Sequence, residues 1–542
     1  MMKKFVIPIL TIVALGIGLS LGTLLAKRSN SLGVNTIGMK QPASGDSKID
    51  QFMHFIDATY VDTLDMDELS EEVIMTLLSE LDPHSSYIPA EDLEAVNSEL
   101  EGSFNGIGVQ FNIQEDTINI VAVISGGPSE SVGLLAGDRI VEVDDSVFVG
   151  KDINNEKVLK RLRGPKGSQV KLGIKRRSTD EMLEYTITRG EIPVKVVDIA
   201  YMVTPEIGLI RISKFGENTY KEFISALASL RAQGATRYIV DLRENSGGYM
   251  DQVINMANEF LENGDMIVYA EGKSYPRYEA HANGKGSFKD APIVVLQDEF
   301  SASASEIFAG AMQDNDRGLI IGRRSFGKGL VQQQFPFTDG SAMRLTVARY
   351  YTPSGRCIQK PYEMGNEEDY LLDILHRYER GEFVNKDSIH LTDSVPYYTK
   401  NKRIVYGGGG IMPDIFIGRD TTYNTPYFNK VVNYAYTYQF AYAYTDKHRQ
   451  ELNTIKTWPE MSAYLDKQPL LKDFTQFAAQ KGVEPNWADI KISEKALLRL
   501  LKAYITRNIL DDEGFYPLFF EGDPMIERAI KELKTLGTNI SK

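Results

Sequence analysis

Between residues 207 and 321 short apolar runs of strand length alternate with stretches of helical spacing, and this alternation limits the fold more than any other feature. Gly208–Ile212, Arg237–Leu242, Pro292–Leu296 and Gly318–Ile321 are predicted strands; Tyr220–Arg231, Met250–Leu261 and Ser303–Met312 are predicted helices. Pro292–Leu296 reads as a strand of the buried type. The prediction is therefore an α/β layered core. Residues 99–190 read as a separate module of short strands, with turns at Gly126–Ser129 and Gly164–Gly167 and helices over Ser131–Leu135 and Ile153–Leu162. Residues 48–82 have helical spacing, with Ile49, Phe52, Phe55 and Ile56 on one face and Leu69, Val73, Met75 and Leu78 on another, up to the stop at Pro83. Residues 363–400 read as an insertion with one charged helix, and 425–536 as largely helical. No internal repeat is visible.

The N-terminus carries a second constraint. Lys3 and Lys4 precede an uncharged apolar run from Phe5 to Ala26, followed by Lys27 and Arg28. As a helix it would reach roughly 33 Å, enough for a bilayer core. Its length favours an uncleaved anchor over a cleaved signal, whose apolar region is usually about 7 to 15 residues. Residues 29–47, rich in Ser, Gly, Thr and Asn, read as a tether. Either way the body is expected outside the cytoplasm: periplasmic on a single-pass inner-membrane anchor, or exported if the signal is cleaved.

A net charge of −14 argues against a nucleic-acid partner, which calls for basic patches. One cysteine, Cys357, excludes an intramolecular disulfide and any cysteine-based zinc cluster. It lies in the strand-like run Tyr350–Ile358 and reads as a buried structural thiol.

Three motifs carry chemistry. Ser301-Ala302-Ser303-Ala304-Ser305-Glu306 sits between an apolar strand and an apolar helix. A serine there lies at a helix N-terminus, where free N–H groups and the helix dipole favour a developing oxyanion. Taken alone, the serines read more simply as plain N-caps. Ser325-Phe326-Gly327-Lys328-Gly329 follows, with Lys328 placed 25 residues after Ser303. A lysine that is buried loses its proton more readily and deprotonates a serine; an exposed turn lysine does neither. Asp241-Leu242-Arg243-Glu244-Asn245-Ser246-Gly247-Gly248 ends a strand in a Gly-Gly loop, which either brings backbone N–H groups close to a reacting atom or is a simple tight turn.

Together these motifs resemble the C-terminal processing peptidases, or tail-specific proteases, over roughly residues 48–360 plus Gly410–Ile415. The resemblance implies a crotonase-like protease core with an inserted PDZ domain. It makes Ser303 the nucleophile, Lys328 the general base and Gln332 the residue that orients the lysine. The oxyanion hole falls on the N–H of Ala304 and a glycine of the loop, Gly247 or Gly248. Ser246 replaces the usual proline of that loop and Ser325 a threonine; neither change removes a reacting group. Residues 99–190 become the PDZ domain, whose loop Gly106, Ile107, Gly108 and Val109 would receive a terminal carboxylate while the peptide adds as a strand. Arg163 is either a coupling residue between this module and the active site or a solvated helix end.

The expected domain order is an anchor at 1–28, a tether at 29–47, a helical segment at 48–98, a PDZ domain at 99–190, a Ser/Lys protease core at 191–424 with the insertion 363–400, and a helical domain at 425–542. The expected function is a serine endopeptidase that cuts proteins with exposed C-termini, with no cofactor and no metal. The alternatives are a membrane-tethered PDZ adaptor with an inactive core and a tethered binder of small apolar ligands. The C-terminal region is open to dimerisation, capping of a substrate tunnel or recruitment of an adaptor. A histidine base is disfavoured: of His54, His84, His281, His376, His390 and His448 only His281 falls in the α/β core, His84 reads as structural, and no G-x-S-x-G elbow occurs. Gly322–Gly329 nearly spells a phosphate loop, yet it lacks the final Ser or Thr and a strand follows it. No H-E-x-x-H or similar spacing supports a metal.

Overall fold

A computed structural model describes residues 47–539, apart from 115, 125, 177, 178, 180 and 391–394. The expected anchor, and the tether up to residue 46, lie outside the described residues. No helix among the described residues is long and apolar enough to cross a membrane.

The chain forms two compact units, one ending at Thr76 and one beginning at Leu77. In the first, helix Lys48–Thr59 opens with a capping box in which Ser47 and Asp50 satisfy each other's backbone N–H. Its predicted apolar face forms but is uncovered, since none of its residues is buried. Helix Met66–Ser79 follows and continues into the second unit, where Leu78 is buried; Met75 is exposed.

The second unit is built around a six-stranded sheet in the order Val197–Thr204, Ile207–Ile212, Arg237–Asp241, Ile293–Gln297, Leu319–Gly322, Ile415–Phe416. The first pair is antiparallel and the others are parallel. One face packs on helices Thr219–Ala232, Met250–Asn258 and Ala304–Asp314 through Phe223, Leu227, Val253, Met256, Phe308 and Met312. The other face, with Leu209, Ile239, Val294 and Leu296, is covered by Met525, Ile526, Ala529 and Leu533 of the last helix, Pro524–Asn539. This double burial is why the strands read as continuous apolar runs. The last helix thus serves the core sheet, whereas the helical domain expected over 425–542 buries its own core within residues 427–510. An antiparallel sheet of Ser86–Ile88, Ala342–Tyr351, Met266–Glu271 and Tyr278–His281, with Leu330–Pro336 also paired to Ala342–Tyr351, lies beside the core. Cys357 lies past the end of Ala342–Tyr351, bridging back to Tyr351, and burial raises its thiol pKa.

The 99–190 module is entered and left through one antiparallel pair, Ser103–Gly106 with Gly190–Pro193. Its sheet runs Val109–Gln114, Thr117–Val123, Arg139–Val143, Gln169–Lys175, Met182–Thr188, and Val158 and Leu162 of helix Asn155–Leu162 close its core. The short helix lies at Pro128–Ser131, earlier than expected, because Pro128 starts it. The insertion contributes helix Glu367–Glu379. Residues 427–510 bury an aromatic-rich core that includes Tyr427, Phe440, Phe474 and Leu497. The long helix Trp487–Phe519 breaks at Asp511, whose φ is 50° and ψ −149°.

Candidate active site

Strand Ile293–Gln297 is buried along its whole length and delivers the chain to the serine-rich turn. The turn separates the three serines by role. Ser301 Oγ donates to the Leu242 carbonyl and Ser305 Oγ to the Asn245 carbonyl, and both residues are buried. Ser303 alone is partly exposed, and it takes φ +56° and ψ −113°, a region that non-glycine residues enter at a cost. Helix Ala304–Asp314 starts immediately after it, one residue later than expected, because Ser303 occupies the N-cap. The Ala304 N–H meets no acceptor among the described residues, as expected at the first position of a helix.

The Gly-Gly loop packs against this turn. Asn245 is fully buried; its Nδ2 donates to the Ile212 carbonyl, and its carbonyl accepts from Ala302 N–H. Gly247 and Gly248 have φ +103° and +145°. A Cβ on Gly247 would lie 2.7 Å from Ser303 Cβ, and one on Gly248 would collide with the Phe215 carbonyl, so no side chain fits at either position. Their N–H groups differ. That of Gly247 donates to Asn245 Oδ1 at 2.9 Å, whereas that of Gly248 has no acceptor among the described residues. The loop is anchored from behind by Asp241 and Arg243, which pair with each other, while Arg243 also reaches Asp523 beside the last helix.

Lys328 sits on the connection into strand Leu330–Pro336, which removes the phosphate-loop reading. Burial, and then the charge of Arg344, lowers its pKa to about 8. Its Nζ donates to Gln332 Oε1 at 2.8 Å. Gln332 Nε2 in turn donates to the His84 carbonyl at 2.5 Å, and because a carbonyl only accepts, this contact turns the amide oxygen toward the amine. The lysine is bonded to this amide rather than to the Ser303 hydroxyl. Serine and lysine are linked instead through Glu306 and Tyr350. Glu306 Oε2 accepts from the N–H groups of both Ser303 and Lys328, and the Tyr350 hydroxyl lies on the carbonyls of both.

Several of these contributors were not singled out from the sequence. His84 does more than hold a turn: its carbonyl fixes Gln332 and its Nε2 pairs with Tyr370 at 2.8 Å. Burial, then Lys328, lowers its pKa to about 4, so the ring is neutral and is no base near pH 7. Asp82 fastens this segment by accepting from Ser85 and Thr346. Glu306 had a signal available, since a carboxylate in a helix buried on every side needs partners.

In the 99–190 module, Gly106–Phe111 does not open one strand. Strand Ser103–Gly106 ends, Ile107 and Gly108 form a turn with Gly108 at φ +77°, and strand Val109–Gln114 begins. The Ile107 and Gly108 N–H groups find no acceptor among the described residues. Val109–Gln114 is the edge of its sheet, paired among the described residues with Thr117–Val123 alone. Its Asn112 donates to the Tyr438 hydroxyl of the helical domain. Arg163 is half-buried, and its guanidinium lies over the ring of Phe104 of the entry strand, 4.5 Å from the ring centre.

The family model for Peptidase family S41 matches residues 206–371, that for the PDZ domain matches 105–187, and one for a family of unknown function matches 427–511. A carboxy-terminal-processing protease of Bartonella bacilliformis is 38% identical over 304 residues, covering 55% of this chain and 69% of the relative. The carboxy-terminal processing protease CtpA of Bacillus subtilis is 36% identical over 328 residues, covering 60% of this chain and 69% of the relative. With the S41 core and the PDZ module both matched, the chain belongs to the carboxy-terminal processing proteases, serine-type peptidases of family S41.

Proposed function

We propose that the chain is an endopeptidase that cleaves protein substrates near an exposed C-terminus through a Ser303–Lys328 pair. The observation that carries this reading is a half-buried lysine whose amine is held by Gln332 and whose pKa is lowered to about 8. The neutral amine takes the proton of Ser303 Oγ, which attacks the scissile carbonyl carbon. Catalytic hydrogen bonds are often long before substrate binds, and closing this one requires the amine lone pair to face the hydroxyl. The resulting oxyanion is received by the N–H groups of Ala304 and Gly248, neither of which has an acceptor among the described residues; Gly247 shapes the loop, because its own N–H is taken. The lysine returns the proton to the departing amine. Water, deprotonated by the same lysine, then releases the acyl group as a carboxylate.

Recognition falls to the PDZ module. The substrate's terminal carboxylate docks on the Ile107 and Gly108 N–H groups, with Gly106 and Val109 flanking the turn, and the tail adds to the open edge Val109–Gln114. The apolar run Phe5–Ala26 supports placement on the inner membrane with the body in the periplasm, or export if the run is removed. Ser303→Ala tests the core of the reading. Incubated with an unfolded protein, the native chain should release fragments and the variant none; an active variant refutes the assignment. Fractionating cells and probing protease accessibility tests the location.

A further inference from the structure

We propose that Glu306 is the positioning residue of the Ser303–Lys328 pair, its ionised carboxylate setting the reach between nucleophile and base by tying their backbones together. The proposal rests on the Ser–Lys reading above. Glu306 is fully buried. Its Oε2 accepts from Ser303 N–H and Lys328 N–H, each at 2.9 Å, and its Oε1 accepts from Gly327 N–H at 2.8 Å and Ser325 Oγ at 2.5 Å. Ser325 Oγ itself accepts from the Ile411 N–H, so its one proton is directed to Glu306. The carboxylate therefore faces four donors and no acceptor.

Tyr350 completes the link from the other side, with its hydroxyl 3.0 Å from the Ser303 carbonyl and 2.5 Å from the Lys328 carbonyl. The two reacting residues are joined at both their N–H and their C=O groups, although no hydrogen bond joins their side chains. Ser303 sits at positive φ, a conformation that persists only when its surroundings hold it. The Glu306 contact to its N–H is part of that hold.

The donor set makes the link sensitive to protonation. A proton on either oxygen would point at a hydrogen already there, and one contact would open. Burial raises the pKa of Glu306 to about 7 while Ser325, Lys328, Ser303 and Gly327 oppose the rise. The titratable groups around it are Lys328, Lys360, Tyr350 and Tyr370; burial keeps both tyrosines protonated at neutral pH. Below pH 7 two protons then act against turnover, one on Lys328 and one on Glu306. His84, with its pKa lowered to about 4, adds nothing in that range.

The test is steady-state cleavage of a tail-bearing peptide by the full chain between pH 5.5 and 9. In the wild type, log kcat/KM should fall with a slope approaching two below pH 7. Glu306→Gln keeps the shape but places an NH₂ against donors; kcat should drop at least about thirtyfold at pH 8.5 with KM within about threefold, and the acid slope should become one. Glu306→Asp keeps the charge, so it should recover part of kcat and retain the slope of two. Wild-type kcat in Glu306→Gln, or a slope of two in that variant, overturns the proposal. If Glu306→Gln does not fold, the wild-type profile and Glu306→Asp decide: a one-proton limb in both overturns the proposal, and a two-proton limb in both supports it. Lys328→Met separates the two readings. An active Lys328→Met refutes the Ser–Lys pair, whereas an inactive Lys328→Met with a wild-type-like Glu306→Gln refutes only the role of Glu306.

Discussion

The two sheets that define this chain are built on opposite terms. The core sheet is covered on both faces, by the Thr219–Ala232, Met250–Asn258 and Ala304–Asp314 helices on one side and by Pro524–Asn539 on the other. The PDZ sheet keeps an open edge strand and a turn with unused N–H groups. Under the proposed function, the difference is one of task. A nucleophile has to be held to within a fraction of an ångström, and a residue at positive φ needs a rigid surround. A site that receives many tails needs backbone groups on offer, which only an edge supplies. On the proposed function, the reacting side chains sit where packing holds them on every side, and the tail docks where a strand edge is left open.

The sharpest way to break this comparison is to remove one group from each side. Ser303→Ala should lower kcat about a millionfold while tail binding, read by fluorescence anisotropy, stays unchanged. A comparable loss of tail binding would mean that the two sheets are not functionally separate. Removing the base comes next: Lys328→Met should cost roughly ten-thousandfold in kcat, read by single-turnover cleavage. On the recognition side, converting a peptide's terminal carboxylate to an amide removes charge-assisted hydrogen bonds and should raise KM about tenfold to a hundredfold, with kcat within about twofold. A drop in kcat instead would place the carboxylate at the catalytic centre.

The smallest expected effect concerns stability alone. Leu296, fully buried between two layers, should cost about 3 kcal/mol on truncation to Ala, and Ile113 on the half-covered edge about 1 kcal/mol. Urea unfolding followed by hydrogen exchange at each strand measures both. Equal costs would remove the packing contrast.

How much of this was legible in the sequence follows the same division. Local signals carried well: the strands of the core, the serine turn, the lysine between glycines and the Gly-Gly loop all rest on neighbouring residues. Ambiguities closed only in three dimensions. From sequence Gly247 and Gly248 are equivalent; in the fold only the Gly247 N–H donates to Asn245 Oδ1, and the proposed mechanism rests on that difference. The link from His84 to Gln332 and that from Asp82 to Thr346 join residues about 250 positions apart and leave no periodicity to read. The last helix was misassigned because an amphipathic stripe announces an apolar face without naming the surface that covers it. Ser303 at positive φ had no cue, since glycine rather than serine usually marks such a position.

The central claim is that an amine at position 328, neutral through burial, drives the serine at 303. Its most direct test is the rate at which a serine-reactive acylating probe labels Ser303 across pH, in the wild type and in Lys328→Arg. The account predicts a wild-type rate that climbs to a plateau with a midpoint near 8, and a Lys328→Arg rate lowered at least about a thousandfold. A wild-type rate that is flat from pH 6 to 9, or labelling of Lys328→Arg at the wild-type rate, would contradict it.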